Sequence, residues 1–131
     1  MSQVLVEMQG ISKVFPGNVK ANDRVDLTIF SGEIHALLGE NGSGKSTLMS
    51  ILCGLYQPTG GNIRIEGQDV QLKSPRDAIR SGIGMVHQNF KLVDSLTVTE
   101  NILVSEASGD FRLDLKKENL KVISLAEQYG L

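Results

Sequence analysis

Gly39-Glu40-Asn41-Gly42-Ser43-Gly44-Lys45-Ser46-Thr47 is the most informative run in the chain. Its spacing, G-x-x-x-x-G-K-[ST] with a second hydroxyl behind it, is that of a phosphate cradle. The glycines let successive backbone N–H groups turn inward with no Cβ in the way, and the helix they open adds the positive end of its dipole. Lys45 is placed to reach β- and γ-phosphates as a point charge, and Ser46 to put its hydroxyl on Mg2+.

The flanks supply the setting that separates such a cradle from an ordinary glycine-rich turn. Before it, Glu33-Ile34-His35-Ala36-Leu37-Leu38 is short and mostly apolar and predicts a buried strand. After it, Leu48-Met49-Ser50-Ile51-Leu52-Cys53 is apolar on nearly every side and predicts a core helix ended by Gly54. His35, inside the apolar run, is expected to be a hydrogen-bonded structural histidine.

Further out, Val4, Val6 and Met8 alternate with Leu5 and Glu7, and Ile11 and Val14 follow before Phe15-Pro16-Gly17-Asn18, a strand running into a turn. A second strand is expected over Val25 to Phe30, turned by Ser31-Gly32 toward the cradle. Phe15 lies at the lip of the first turn, where an aromatic either stacks on a purine or packs the strand end. Downstream, turn formers at Gln57-Pro58-Thr59-Gly60-Gly61 precede a half-exposed strand carrying Ile63 and Ile65. Ser74-Pro75 starts a short helix, with Ser74 as N-cap and Asp77 in the first turn, ending near Ser81-Gly82.

Ile83-Gly84-Met85-Val86 predicts a second buried strand, followed at once by His87-Gln88-Asn89. Polar residues at the end of a parallel strand are where α/β sheets place ligand groups, so Gln88 is a candidate to orient Mg2+ or water. A loop glutamine facing solvent is the other reading, and His87 is treated alike. Thr97 and Glu100 form a capping box for a helix over Leu96 to Val104. Ser105 to Asp110 is a polar linker, and Leu115 to Tyr129 predicts an amphipathic helix with Leu115, Val122, Ile123, Ala126 and Tyr129 on one face and Gly130 as its stop.

Composition narrows the class. With 131 residues, 40% of them hydrophobic, and a formal net charge of -2, the chain is neither disordered nor equipped with a basic footprint for nucleic acid. No apolar run reaches the roughly 18 residues that cross a bilayer. The lone cysteine, Cys53, suits a reducing compartment and a place in the core helix. Phosphate-loop enzymes add an apolar strand ending in an acidic metal ligand. No run of four apolar residues followed by Asp or Glu occurs here; Leu92-Val93-Asp94 is the nearest and is too short.

The cradle, its approach from Gly32 to Gly42, the segment Gly82-Ile83-Gly84-Met85-Val86-His87-Gln88, and Leu96-Thr97-Val98-Thr99-Glu100-Asn101-Ile102 resemble the ATP-binding subunit of ABC transporters. The likeness is strongest to bacterial importers of simple sugars and nucleosides, and it covers nearly the whole chain in order. The resemblance implies an α/β P-loop NTPase core of the ABC type, with an N-terminal antiparallel β portion over 1–30, Walker A and core over 31–88, and a Q-loop with the start of a truncated helical subdomain over 89–131. It makes Phe15 the adenine-stacking aromatic of the A-loop, Gly39 to Thr47 the Walker A motif, and Gln88 the Q-loop glutamine at Mg2+ and attacking water. Asn89 to Val98, with Phe90, Leu92, Leu96 and Val98, would help form the groove for a coupling helix.

ATP and Mg2+ are the implied cofactors. The implied partners are transmembrane permease subunits, a second nucleotide-binding domain and, indirectly, an extracellular solute-binding protein. The implied location is the cytoplasmic face of a bacterial cell membrane, as a peripheral subunit. The family's signature motif, Walker B strand, catalytic glutamate and switch histidine would follow Leu131, so the chain is expected to be the N-terminal part of one such domain, binding ATP with little or no hydrolysis of its own. Two rivals are a P-loop kinase or small NTPase, for which no acceptor site is evident, and a non-transport ABC ATPase switching on ribosomes or DNA, against which the acidic balance argues.

Overall fold

The computed structural model describes residues 3–86, 92–106 and 115–130, with the backbone alone at 105 and 106. The chain divides into two compact units, residues 1–86 and 87–131, each described by itself.

The first unit is built on a four-stranded antiparallel sheet of order β2-β1-β3-β4, with β1 Val4–Phe15, β2 Val19–Phe30, β3 Gly60–Ile65 and β4 Gln68–Val70. The alternation of Val4, Val6 and Met8 does produce β1, and β2 begins six residues earlier than Val25, the start expected from alternation. Gly17 and Asn18, both at positive φ, make the turn that pairs Phe15 with Val19. The period of two breaks along β1 because the register slips between Met8 and Ile11 and again beyond Ile11. Side chains replace the lost ladder bonds: Gly10 N donates to Asp26 Oδ1 and Arg24 N to Ser12 Oγ. These bulges keep Met8 and Ile11, three residues apart, both fully buried.

Helix α1, Lys45–Leu52, packs Leu48, Ile51 and Leu52 into one cluster with Met8, Ile11, Leu27 and Ile63 of the sheet. It ends as its sequence predicts. Gly54 takes φ 71 in the left-handed region, its N–H reaches Ile51 O, and Leu55 N reaches Ser50 O, a C-terminal motif that glycine makes without strain. Cys53 is the C-cap residue, and partial burial pushes its thiol pKa up, so it is an unreactive packing residue.

Helix α2, Pro75–Arg80, has the expected N-cap: Ser74 Oγ accepts from Asp77 N and donates to Asp77 Oδ2 at 2.8 Å. Ser74→Ala is expected to lower stability by about 1 kcal/mol in a denaturant titration; an unchanged midpoint would show that the cap contributes nothing. The helix closes with Gly82 at φ 80 and Ile83 N bonded to Ala78 O.

Two expected strands are not formed among the described residues. Glu33–Leu38 and Ile83–Val86 lie outside any ladder, and Ile34, Leu38 and Val86 are exposed. Their apolar pattern suits a strand buried on both faces, but a strand exists only when a neighbour takes its backbone N–H and C=O groups. Neither segment joins the ladder of β1 to β4 among the described residues. Ile83 alone packs on the core cluster, and its N–H is already used by the end of α2.

The second unit contains α3, Val98–Glu106, and α4, Leu115–Tyr129. The capping box is present: Thr97 N and Oγ1 both donate to Glu100 Oε2 at 2.8 Å, and Glu100 N donates back to Thr97 Oγ1. The bond from Thr97 N holds the Glu100 carboxyl below its ordinary pKa. Asn101 folds the approach to α3, accepting from Val93 N and donating to the Val93, Leu96 and Thr97 carbonyls. Thr99 Oγ1 bonds Asn119 Oδ1 at 2.6 Å and Leu103 is buried. On α4, Val122 and Ala126 are half-buried, while Leu115, Ile123 and Tyr129 of the expected apolar face stay exposed. Gly130 at φ 72 ends the helix. Among the described residues no helix is long and apolar enough to cross a membrane. The polar linker Ser105–Asp110 falls largely outside the described residues.

Candidate functional site

The glycine-rich stretch forms a loop opening directly into α1. Gly42 and Gly44 adopt φ 84 and 88, values that L side chains rarely adopt. Gly44 also has no room for a side chain: a Cβ there would collide with the Ala21 carbonyl oxygen and lie 2.7 Å from Asn22 Nδ2. A Cβ on Gly39 would sit 2.8 Å from Ser43 Oγ. The loop is therefore closed up around its glycines as a cradle requires.

Within the loop, Ser43 N donates to Glu40 O at 3.2 Å. Gly44 is the N-cap of α1 and supplies no side-chain cap, and no acidic residue lies in the first turn. The first N–H groups of a helix need an outside acceptor, and among the described residues no side chain caps them. Lys45 Nζ donates to Gly39 O at 2.6 Å, Glu40 O at 2.7 Å and Ser43 Oγ at 3.2 Å. These bonds hold the ammonium against the loop. A cavity of about 210 Å³ is lined by Ala21 and by Asn41 through Thr47, and Lys45 is the one cation among those residues. The cavity brings together the Lys45 ammonium, a helix N-terminus and the exposed hydroxyl of Ser46, a set of groups suited to an anion. The donor set fits a nucleotide polyphosphate, and Ser46 is the residue that could touch its metal. Among the described residues there is no cluster of His, Cys, Asp and Glu that would hold a metal unaided.

Phe15 is half-buried. Its ring meets Tyr56 edge-on, with centroids 5.3 Å apart and planes at 84°. Lys13 Nζ lies 5.2 Å from the Phe15 centroid and 5.7 Å from that of Tyr56, while donating to Gln57 O. Sequence reasoning passed over Tyr56, since a lone tyrosine after a helix stop carries no periodic signal. It also passed over Ala21 and Asn22, whose importance comes from the approach of β2 to the loop. Asn22 is 5% exposed, its Nδ2 donates to Gly44 O at 3.2 Å, and its Oδ1 has no partner among the described residues.

His35 makes the hydrogen bond expected of it, but at the surface. It is exposed, and its Nδ1 lies 3.1 Å from Glu33 Oε1. The unpaired course of its segment leaves it at the surface; a backbone bond from Phe30 N, chiefly, and the His35 contact lower the Glu33 pKa. Gln88, His87, Asn89 and Phe90 lie outside the described residues. In the second unit, Leu92, Leu96 and Val98, expected to line a groove or pack inside, border a cavity of about 470 Å³ with Val93, Asn101 and Ile102. Leu92 and Val98 are strongly exposed there.

Comparison with known proteins places the chain in one family. The sequence profile of the family described as ABC transporter matches residues 22–131. Guanosine import ATP-binding protein NupO of Bacillus subtilis (strain 168) is 52% identical over 130 residues, covering 98% of this chain and 25% of that protein. Ribose import ATP-binding protein RbsA of Caldanaerobacter subterraneus subsp. tengcongensis is 47% identical over 125 residues, covering 91% of this chain and 25% of that protein. The chain thus spans about a quarter of the length of the curated relatives it matches. A crystal structure of a nucleotide-free ATP-binding cassette from an ABC transporter superposes with TM-score 0.72 at 30% identity, over 86% of this chain and 44% of that one. The α/β P-loop fold is the one its neighbours share, and with the profile spanning most of the sequence and the cradle formed as described, the chain belongs to the ABC transporter family.

Proposed function

We propose that this chain binds ATP with Mg2+ as part of the energy-coupling subunit of an importer for a small polar solute, a nucleoside or a simple sugar. The observation that carries the reading is the uncapped N-terminus of α1 at a cavity where Lys45 is the only lining cation among the described residues. The backbone from Gly39 to Gly44 would wrap the phosphates, Lys45 would neutralise the β- and γ-oxygens, and Ser46, with Gln88, would hold the metal. Thr47 lies one step further along the same helix turn. Phe15 would stack on the adenine. The choice of solute class follows the relatives named for guanosine and ribose import.

Hydrolysis asks for an acidic metal ligand at the end of an apolar strand, which this sequence does not contain. The share of the reaction assigned here is therefore binding: Mg2+ supplies charge neutralisation at the phosphates, while the chain orients them. Residues 1–30, 31–88 and 89–131 take the roles of β portion, Walker A core and Q-loop with helical portion. A second nucleotide-binding domain would complete the site, and permease subunits on the cytoplasmic side of the membrane would seat a helix in the groove at Leu92, Leu96 and Val98. A solute-binding protein would act on the far side.

The test is calorimetric titration of the full chain with ATP and Mg2+. Saturable binding at one site supports the reading, and no heat beyond dilution at millimolar ATP would overturn it. Turnover by the purified chain that disappears in Lys45→Ala would overturn the assignment of binding without hydrolysis.

A further inference from the structure

Position 22 is an unexpected place for an amide. It lies within β2, is buried, and faces Lys13 in the β1 register. Asparagine is depleted in strands, and its oxygen finds no partner among the described residues. A buried polar atom left unpaired lowers stability, which an apolar residue of the same volume would not do. The amide does one thing: its Nδ2 donates to Gly44 O, which also accepts Leu48 N at 2.9 Å as the first bond of α1. The junction between loop and helix is thereby tied to β2, with the Ala21 carbonyl packed against the same glycine. Across the ladder, Lys13 carries its ammonium over the Phe15 ring. Lys13, over the Phe15 ring, and Asn22, bonded to the Gly44 carbonyl, are paired backbone positions of one ladder.

We infer that Asn22 is a positioning residue for nucleotide binding: it fixes the phosphate cradle on the strand pair that carries Phe15, and so sets the distance between base and phosphate subsites. The inference rests on the ATP-binding reading above. Its ligand class is a nucleoside triphosphate engaged at both ends at once, so its signature is a loss for ATP that inorganic triphosphate does not share.

The experiment compares the wild-type chain, Asn22→Leu, Asn22→Ala and Lys45→Ala by ATP titration with Mg2+, by displacement of ATP with inorganic triphosphate, and by thermal melting. Asn22→Leu is expected to melt at or above the wild-type temperature, since the orphaned oxygen is gone. It should bind ATP about 2- to 12-fold more weakly, the loss of one ordinary hydrogen bond, and triphosphate with unchanged affinity. Asn22→Ala should show the same split if the leucine does not pack. Wild-type ATP affinity in both variants, equal losses for ATP and triphosphate, or losses that track the melting temperature would each overturn the positioning role. If the wild-type chain binds ATP and Lys45→Ala does not, such a result sinks this inference alone; if the wild type fails to bind, the ATP-binding reading falls with it.

Discussion

Lys45→Ala is expected to weaken ATP binding by a factor of about 10 to 150, the worth of a charge-assisted hydrogen bond of about 1.5–3 kcal/mol. Among the described residues Lys45 is the sole cation lining the cavity, and the three acceptors found for it are all atoms of the loop it would serve. Its ammonium needs only to exchange loop oxygens for phosphate oxygens, with no ion pair to break. Truncation should leave the melting temperature within a few degrees of wild type, because alanine suits the first turn of a helix. Lys45→Arg should not restore affinity, since a planar fork cannot replace a compact point charge inside a loop this close-packed. Titration calorimetry on the three proteins decides the matter; wild-type affinity in the alanine variant would mean that phosphate is held elsewhere.

The second large effect is expected at Gly44, and it is an effect on folding as well as binding. Gly44→Ala must hold a Cβ at φ 88 while that Cβ meets the Ala21 carbonyl and Asn22. A left-handed non-glycine residue costs about 1–3 kcal/mol, and forced overpacking about 1–3 kcal/mol more. Together they predict a loss of about 2–6 kcal/mol in denaturant unfolding, with ATP binding lost as the loop moves off β2. Gly42→Ala is the control. Its φ of 84 is nearly the same, yet a Cβ there meets nothing within 4 Å, so only the conformational cost applies. Equal destabilisation of the two variants would show that the approach to Ala21 is unimportant.

Local chemistry was legible in the sequence wherever a residue acts on its own neighbours. The Ser74 and Thr97 caps, the glycine stops at 54, 82 and 130, and the alternation in β1 and β2 all act over fewer than six residues. Partnership over distance was not. Glu33–Leu38 and Ile83–Val86 have the composition of buried strands but lack ladders among the described residues, because a strand is completed by another segment. Val19 to Arg24 was unread as strand for the converse reason: little in its pattern calls for one, and pairing with β1 draws it in.

Residue identities alone carried the glycine-rich loop from Gly39 to Thr47, set between its apolar flanks, and the family that its neighbouring motifs resemble. Only the tertiary structure decided that Gly44 lies against Ala21 and Asn22, that Phe15 meets Tyr56 beneath Lys13, and that α1 covers Met8, Ile11 and Leu27. A loop motif is a local demand on backbone angles, which residue identity sets directly. What braces that loop depends on which strands a packed sheet brings beside it.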